Sequence, residues 1–113
     1  MKRALAAMVV AVLLAISAPS ALAGGGGWAV RVSGAGRALV AWGTWAGTTQ
    51  AHVGLPWRHS VRVSGFSVVT VNGQRENGGP GKIVCAVLHG GVVVARTVGR
   101  GPYAACHTSA ATN

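Results

Sequence analysis

The side chains with most chemistry to offer are few: two cysteines, Cys85 and Cys106, four histidines, His52, His59, His89 and His107, and one carboxylate, Glu76. A single Asp/Glu leaves no carboxylate pair for glycoside hydrolysis and none for an all-protein Mg²⁺ or Ca²⁺ site. Glu76 lies in a glycine-rich stretch, a poor place to preorganise a catalytic group, and no Gly-x-Ser-x-Gly elbow is present. No catalytic residue is assigned, and the chain reads as a binding or accessory module, not an enzyme. The histidines lack a helical i, i+4 pairing. His52 and His59, which flank Leu55-Pro56-Trp57, are the pair to inspect for a metal, but neither a metal site nor a cofactor is expected. Cys85 and Cys106 are too far apart in sequence for a CxxC redox or zinc motif.

Ten Lys+Arg against one acidic residue give a formal charge of +9. Such a surface attracts anions over long range. After the first three residues the cations are Arg31, Arg37, Arg58, Arg62, Arg75, Lys82, Arg96 and Arg100, scattered along the chain. No helix-turn-helix or zinc-finger pattern accompanies them, and nucleic acid is not an expected partner. Of the four tryptophans, Trp28 and Trp42 fall on apolar strand faces and are expected in the core. Trp57 reads as part of a corner, whereas Trp45, beside the turn at Gly43–Gly47, is expected at the surface. Trp45, Arg58 and Arg62 are the candidate partner contacts.

Residues 1–23 have the organisation of a secretory signal. Lys2 and Arg3 precede an apolar run from Ala4 to Ile16, Pro19 breaks it, and Ala21-Leu22-Ala23 supplies small residues for cleavage after Ala23. The rival reading is an uncleaved anchor, which needs about 20 apolar residues and so must include Ser17, Pro19 and Ser20. Either way the domain is placed outside the cytoplasm, secreted or on the outer face of the plasma membrane. Gly24–Gly27 is a flexible tether. The remaining chain is short enough to profit from a staple, and two cysteines in an exported chain read as one disulfide.

From Trp28 onward the hydrophobic period is two. Trp28, Val30 and Val32 alternate with Ala29, Arg31 and Ser33. Further strands are expected at Ala38–Thr44, near Thr48–Val53, at Ser60–Ser64, Ser67–Val71, Lys82–Leu88, Val92–Val98 and Tyr103–Thr108. Leu55-Pro56-Trp57 reads as a corner, because Pro56 cannot donate to a central ladder. A long turn is expected from Asn72-Gly73 to Gly81, and another at Gly99–Pro102. His89-Gly90-Gly91 is a hairpin connection. The nearly all-apolar Val92–Val98 run reads as a strand covered on both faces. Seven or eight short strands at such spacing predict an all-β fold, a β-sandwich over residues 28–108 preceded by an N-terminal signal or hydrophobic helix, with 109–113 a disordered tail.

The cysteines constrain that sandwich. In a simple meander of the last three strands, Cys85 and Cys106 would lie about 9.6 Å apart. A disulfide needs Cα atoms within about 7 Å. The last strand is therefore expected to cross to the facing sheet or to pair beside Lys82–Leu88. Tyr103 lies near, though not at, the tyrosine-corner position of immunoglobulin-like domains.

Taken in order, Val32-Ser33-Gly34, Leu55-Pro56-Trp57, Lys82-Ile83-Val84-Cys85, His89-Gly90-Gly91-Val92-Val93 and Gly101-Pro102-Tyr103-Ala104-Ala105-Cys106 make the chain resemble the MmpS family of small mycobacterial membrane proteins. The resemblance implies an immunoglobulin-like β-sandwich held outside the plasma membrane. It also implies an accessory role to MmpL-type exporters of lipids and siderophores, so that the expected partners are such a transporter or an envelope lipid. The second expectation, from charge alone, is a freely secreted cationic protein that adheres to anionic envelope polymers or membranes.

Overall fold

The computed structural model describes residues 27–112. The leader, most of the glycine tether and the expected N-terminal helix lie outside the described residues. Eight strands follow in order: β1 (Trp28–Gly34), β2 (Arg37–Thr44), β3 (Gly47–Gly54), β4 (Trp57–Val61), β5 (Val68–Arg75), β6 (Lys82–His89), β7 (Val92–Arg100) and β8 (Ala105–Ala111). They form two antiparallel four-stranded sheets, a first of order β4-β1-β6-β7 and a second of order β3-β2-β5-β8. The fold is thus all-β and sandwich-like. Among the described residues no helix is long and apolar enough to cross a membrane.

The core follows from strand parity. Val30 and Val32 of β1, and Ile83, Cys85 and Val87 of β6, meet Ala38 and Val40 of β2, Val69 and Val71 of β5, and Cys106 of β8. Cys85 and Cys106 are disulfide-bonded across the two sheets, with Cα atoms 5.7 Å apart. Of the two placements the cysteine spacing left open, the last strand takes the crossing one. Trp28, Trp42 and Trp57 flank this core partly buried, and Trp42 lies 4.8 Å from Trp57 between ring centroids.

Several boundaries differ from the sequence reading. Asn72-Gly73 does not open a turn; both residues lie in β5, which runs to Arg75. An Asn-Gly pair favours a hairpin turn locally, but here the glycine serves the packing. A Cβ on Gly73 would meet Val32 at 3.1 Å, Ile83 at 3.2 Å and the Cys85 sulfur at 3.5 Å. Its bareness lets the sheets close around the disulfide. β7 likewise continues through Gly99 and Arg100, and a Cβ on Gly99 would stand 1.8 Å from the Ala105 carbonyl oxygen. β4 begins at Trp57 and stops at Val61, earlier than expected. β8 begins at Ala105, after Tyr103, whose backbone is left-handed at φ 52°.

Two expectations about burial are overturned. Val92, Val93 and Val94 are exposed, not covered on both faces, because β7 is an edge strand and these residues follow the hairpin directly. The tail expected over 109–113 is ordered through Thr112: Ser109, Ala110 and Ala111 pair with Thr70, Val69 and Val68. Thr112 itself is buried, and its hydroxyl accepts from the Ser67 N–H at 2.7 Å and donates towards the Gly65 and Ser67 carbonyls. A small polar residue at a chain end reads as tail; here it latches the loop before β5.

The connections define two ends. Turns at 35–36, 55–56, 76–81 and 101–104 gather at one, the glycine end. The β2–β3 turn, the 62–67 link and the β6–β7 hairpin gather at the other. Trp28 pairs with both Val61 and His89 there, and Val69 pairs with Thr44. The Gly27 carbonyl accepts a hydrogen bond from the Gly90 N–H at 2.9 Å, so the tether joins the domain at this second end, the tether end.

Candidate functional site

Strand register collects what the sequence scatters. Arg58 of β4 lies opposite Arg31 of β1, Arg31 opposite Ala86 of β6, and Ala86 opposite Arg96 of β7. Each flanking residue on these strands faces the core or its rim, so Arg58, Arg31 and Arg96 share the outer face of the first sheet. Lys82 and Arg100 pair directly on the same face, nearer the glycine end. Between the cations Ala29, Ala86 and Leu88 form a small buried apolar cluster. Like charges directly opposite across strands are destabilising. Arg31–Arg58 and Lys82–Arg100 are two such pairs, and none of these five cations forms an ion pair among the described residues.

The single acidic side chain, Glu76, opens the turn after β5 and meets the other sheet. Glu76 contacts the His52 Nδ1 and lies 3.9 Å from the Arg37 Nε. The turn that seemed unsuited to organise anything thus gathers Arg37, His52 and Glu76. Imidazole held by carboxylate is the orienting half of a triad, but among the described residues no hydroxyl or thiol hydrogen-bonds to His52. His107 similarly contacts the Asn72 Oδ1. Asn72 and His107 border a shallow cleft of about 470 Å³ over β2 and β5, lined also by Leu39, Ala41, Gln50 and Gln74. The two outer faces therefore contrast: cationic on the first sheet, neutral polar on the second.

His59 packs against Trp42 and stacks on Trp57, and His89 stacks on Trp28 at 4.1 Å. His52 and His59 are not brought together as a metal pair, and among the described residues no three His, Cys, Asp or Glu side chains cluster. Arg75 is the eighth cation and is buried. Its Nη1 donates to the Gly79 and Pro80 carbonyls at 3.0 and 3.2 Å and its Nη2 to the Asn77 Oδ1 at 3.0 Å, which folds the glycine-rich turn around it. Tyr103 lies against Gly78 in the same region, where a Cβ would be 2.9 Å from its ring. Leu55 and Pro56 carry the chain from β3 in the second sheet to Trp57 and β4 in the first.

The remaining exposed groups gather at the tether end. Trp45, in the β2–β3 turn, is 67% exposed; Phe66, in the 62–67 link, is 57% exposed; their rings meet edge-on at 5.2 Å. Val92, Val93 and Val94 open β7 there, and Arg62 is exposed just beyond β4. Of the three expected contact residues, Trp45 and Arg62 thus fall at this end and Arg58 on the adjoining cationic face. Phe66 was missed, because one aromatic in a Ser/Gly-rich link carries no periodicity. No family model, curated protein or solved structure matches the chain.

Proposed function

We propose that the protein is an exported, non-enzymatic binding module of the cell envelope that engages an anionic partner through the outer face of its first sheet. The observation that carries this reading is the gathering of Arg31, Arg58, Arg96, Lys82 and Arg100 on one face, two pairs of them directly opposed, while the only acidic side chain, Glu76, follows β5 and meets Arg37 and His52 of the other sheet. Surface like-charge pairs cost stability when nothing neutralises them, and a bound anion removes that cost. Export is supported by the leader-like first 23 residues and by a disulfide that belongs in an oxidising compartment.

The MmpS-like reading supplies a second partner, an MmpL-type exporter. Its support is the placement of the resembling motifs: Val32-Ser33-Gly34 closes β1, Leu55-Pro56-Trp57 changes sheets, and the two cysteines bridge them. The immunoglobulin-like reading rests on two layers joined by one bridge.

Binding of the exported protein to envelope preparations over a salt series tests the proposal. Screening shortens from about 10 Å at 0.1 M to about 3 Å at 1 M, so capture at low salt and release at high salt are expected. Capture that ignores both salt and the Arg58→Gln/Arg96→Gln substitution would refute the cationic face and favour a packed protein partner.

A further inference from the structure

We infer that the anionic partner is a lipid bilayer and that the protein meets it tether end first, an inference that rests on the cationic-face reading above. Among the described residues, five of the six large exposed apolar side chains, Trp45, Phe66, Val92, Val93 and Val94, stand at this end, the sixth being Tyr103 at the other. They come from three separate stretches of chain, the β2–β3 turn, the 62–67 link and the start of β7, that gather at one end of the two sheets. Exposed apolar residues gathered in this way mark an interaction surface rather than random scatter. The Trp45–Phe66 pair suits the bilayer interface, where aromatic rings concentrate.

Charge is arranged to match. Arg62 lies at the rim, and the row of Arg58, Arg31 and Arg96 is one step behind the row of Ser60, Ala29, Leu88 and Val93. Two residues along a strand advance about 7 Å. Apolar groups that enter the boundary by about 5–10 Å would therefore bring these guanidinium groups to the level of the lipid phosphates. Lys82 and Arg100, near the glycine end, remain distant. The attachment of Gly27 to the Gly90 N–H is an independent indication, since it places the junction with the apolar leader and its glycine tether beside the valine hairpin. Thr112 serves the same end, holding the Gly65–Ser67 loop that presents Phe66.

The test is co-sedimentation of the exported chain with vesicles of mixed phosphatidylglycerol and phosphatidylcholine, with phosphatidylcholine alone and soluble polyphosphate as comparison probes. Binding to the anionic vesicles is expected, with little to the zwitterionic ones. One cation near a membrane surface is worth about fivefold in affinity, so Arg58→Gln/Arg96→Gln should lose about 25-fold. Lys82→Gln/Arg100→Gln should lose less than about threefold, because screening attenuates charges beyond a Debye length. Trp45→Ser/Phe66→Ser and, separately, Val92→Ser/Val94→Ser should each weaken vesicle binding at least about tenfold while leaving polyphosphate binding unchanged. Equal loss from the two cation pairs, or vesicle binding indifferent to both apolar pairs, would overturn the tether-end contact and leave the cationic face standing for soluble polyanions. Failure to bind either vesicles or polyphosphate would overturn both.

Discussion

At the glycine end an arginine is interior: Arg75 is 6% exposed and gives its guanidinium to three loop oxygens, with no carboxylate among them. At the tether end and along the adjoining face, Arg58, Arg62 and Arg96 are exposed, and so are Trp45, Phe66 and Val92–Val94. The glycine end closes one loop around a buried guanidinium, while the tether end leaves Arg62, Trp45 and Phe66 facing outward. Neighbouring links of one small domain can thus take opposite roles, and exposure separates a structural cation from one available to a partner better than charge does. Loops held by internal hydrogen bonds have little to offer a ligand, whereas the loop at 65–67 is held by Thr112 so that Phe66 need not be.

The largest effect belongs to the bond that both ends share. Cys85→Ser/Cys106→Ser should cost about 3 kcal/mol in urea unfolding and raise amide exchange at both ends alike; loosening confined to one end would break the picture of a central clamp. Next come two substitutions with mirror-image outcomes. Arg75→Met and Thr112→Val should each cost about 2 kcal/mol through lost hydrogen bonds. The first should speed exchange over 76–81 and spare 62–67, the second the reverse. Arg58→Glu, which places a carboxylate opposite Arg31, should raise stability by about 0.5 kcal/mol at low salt while weakening anion binding. A fall in melting temperature would mean that the opposed arginines impose no repulsion. The smallest effect is expected from Trp45→Ala, within about 0.5 kcal/mol of the parent, because its ring is largely exposed and meets another exposed ring, Phe66.

Strand parity was readable directly: Trp28, Val30 and Val32 turn inward and Arg31 outward, as their spacing requires. The crossing of the last strand was one of two placements left by the cysteine spacing. The cationic face was not readable, because Arg31, Arg58 and Arg96 become neighbours only through the register of β4, β1, β6 and β7, and pairing is non-local. Glu76 was dismissed for its glycine-rich surroundings, yet the β5 strand running to Arg75 carries it beside Arg37. Val92–Val98 was misread because an apolar run carries no signal of whether its neighbours cover it; an edge strand beside a hairpin has neither cover. Gly73 looked like a turn for its sequence partner Asn72, and its real reason, the sulfur and methyl groups of the facing sheet, lies in tertiary space.

The most direct test compares the two ends in a single experiment: hydrogen–deuterium exchange of the exported chain with and without phosphatidylglycerol-containing vesicles. Added protection should gather at 44–47, 62–67 and 89–94, with 76–81 and 100–103 unchanged. Protection concentrated at the glycine end, or spread evenly over the outer face of the first sheet from Arg96 to Lys82, would contradict a contact made through the tether end.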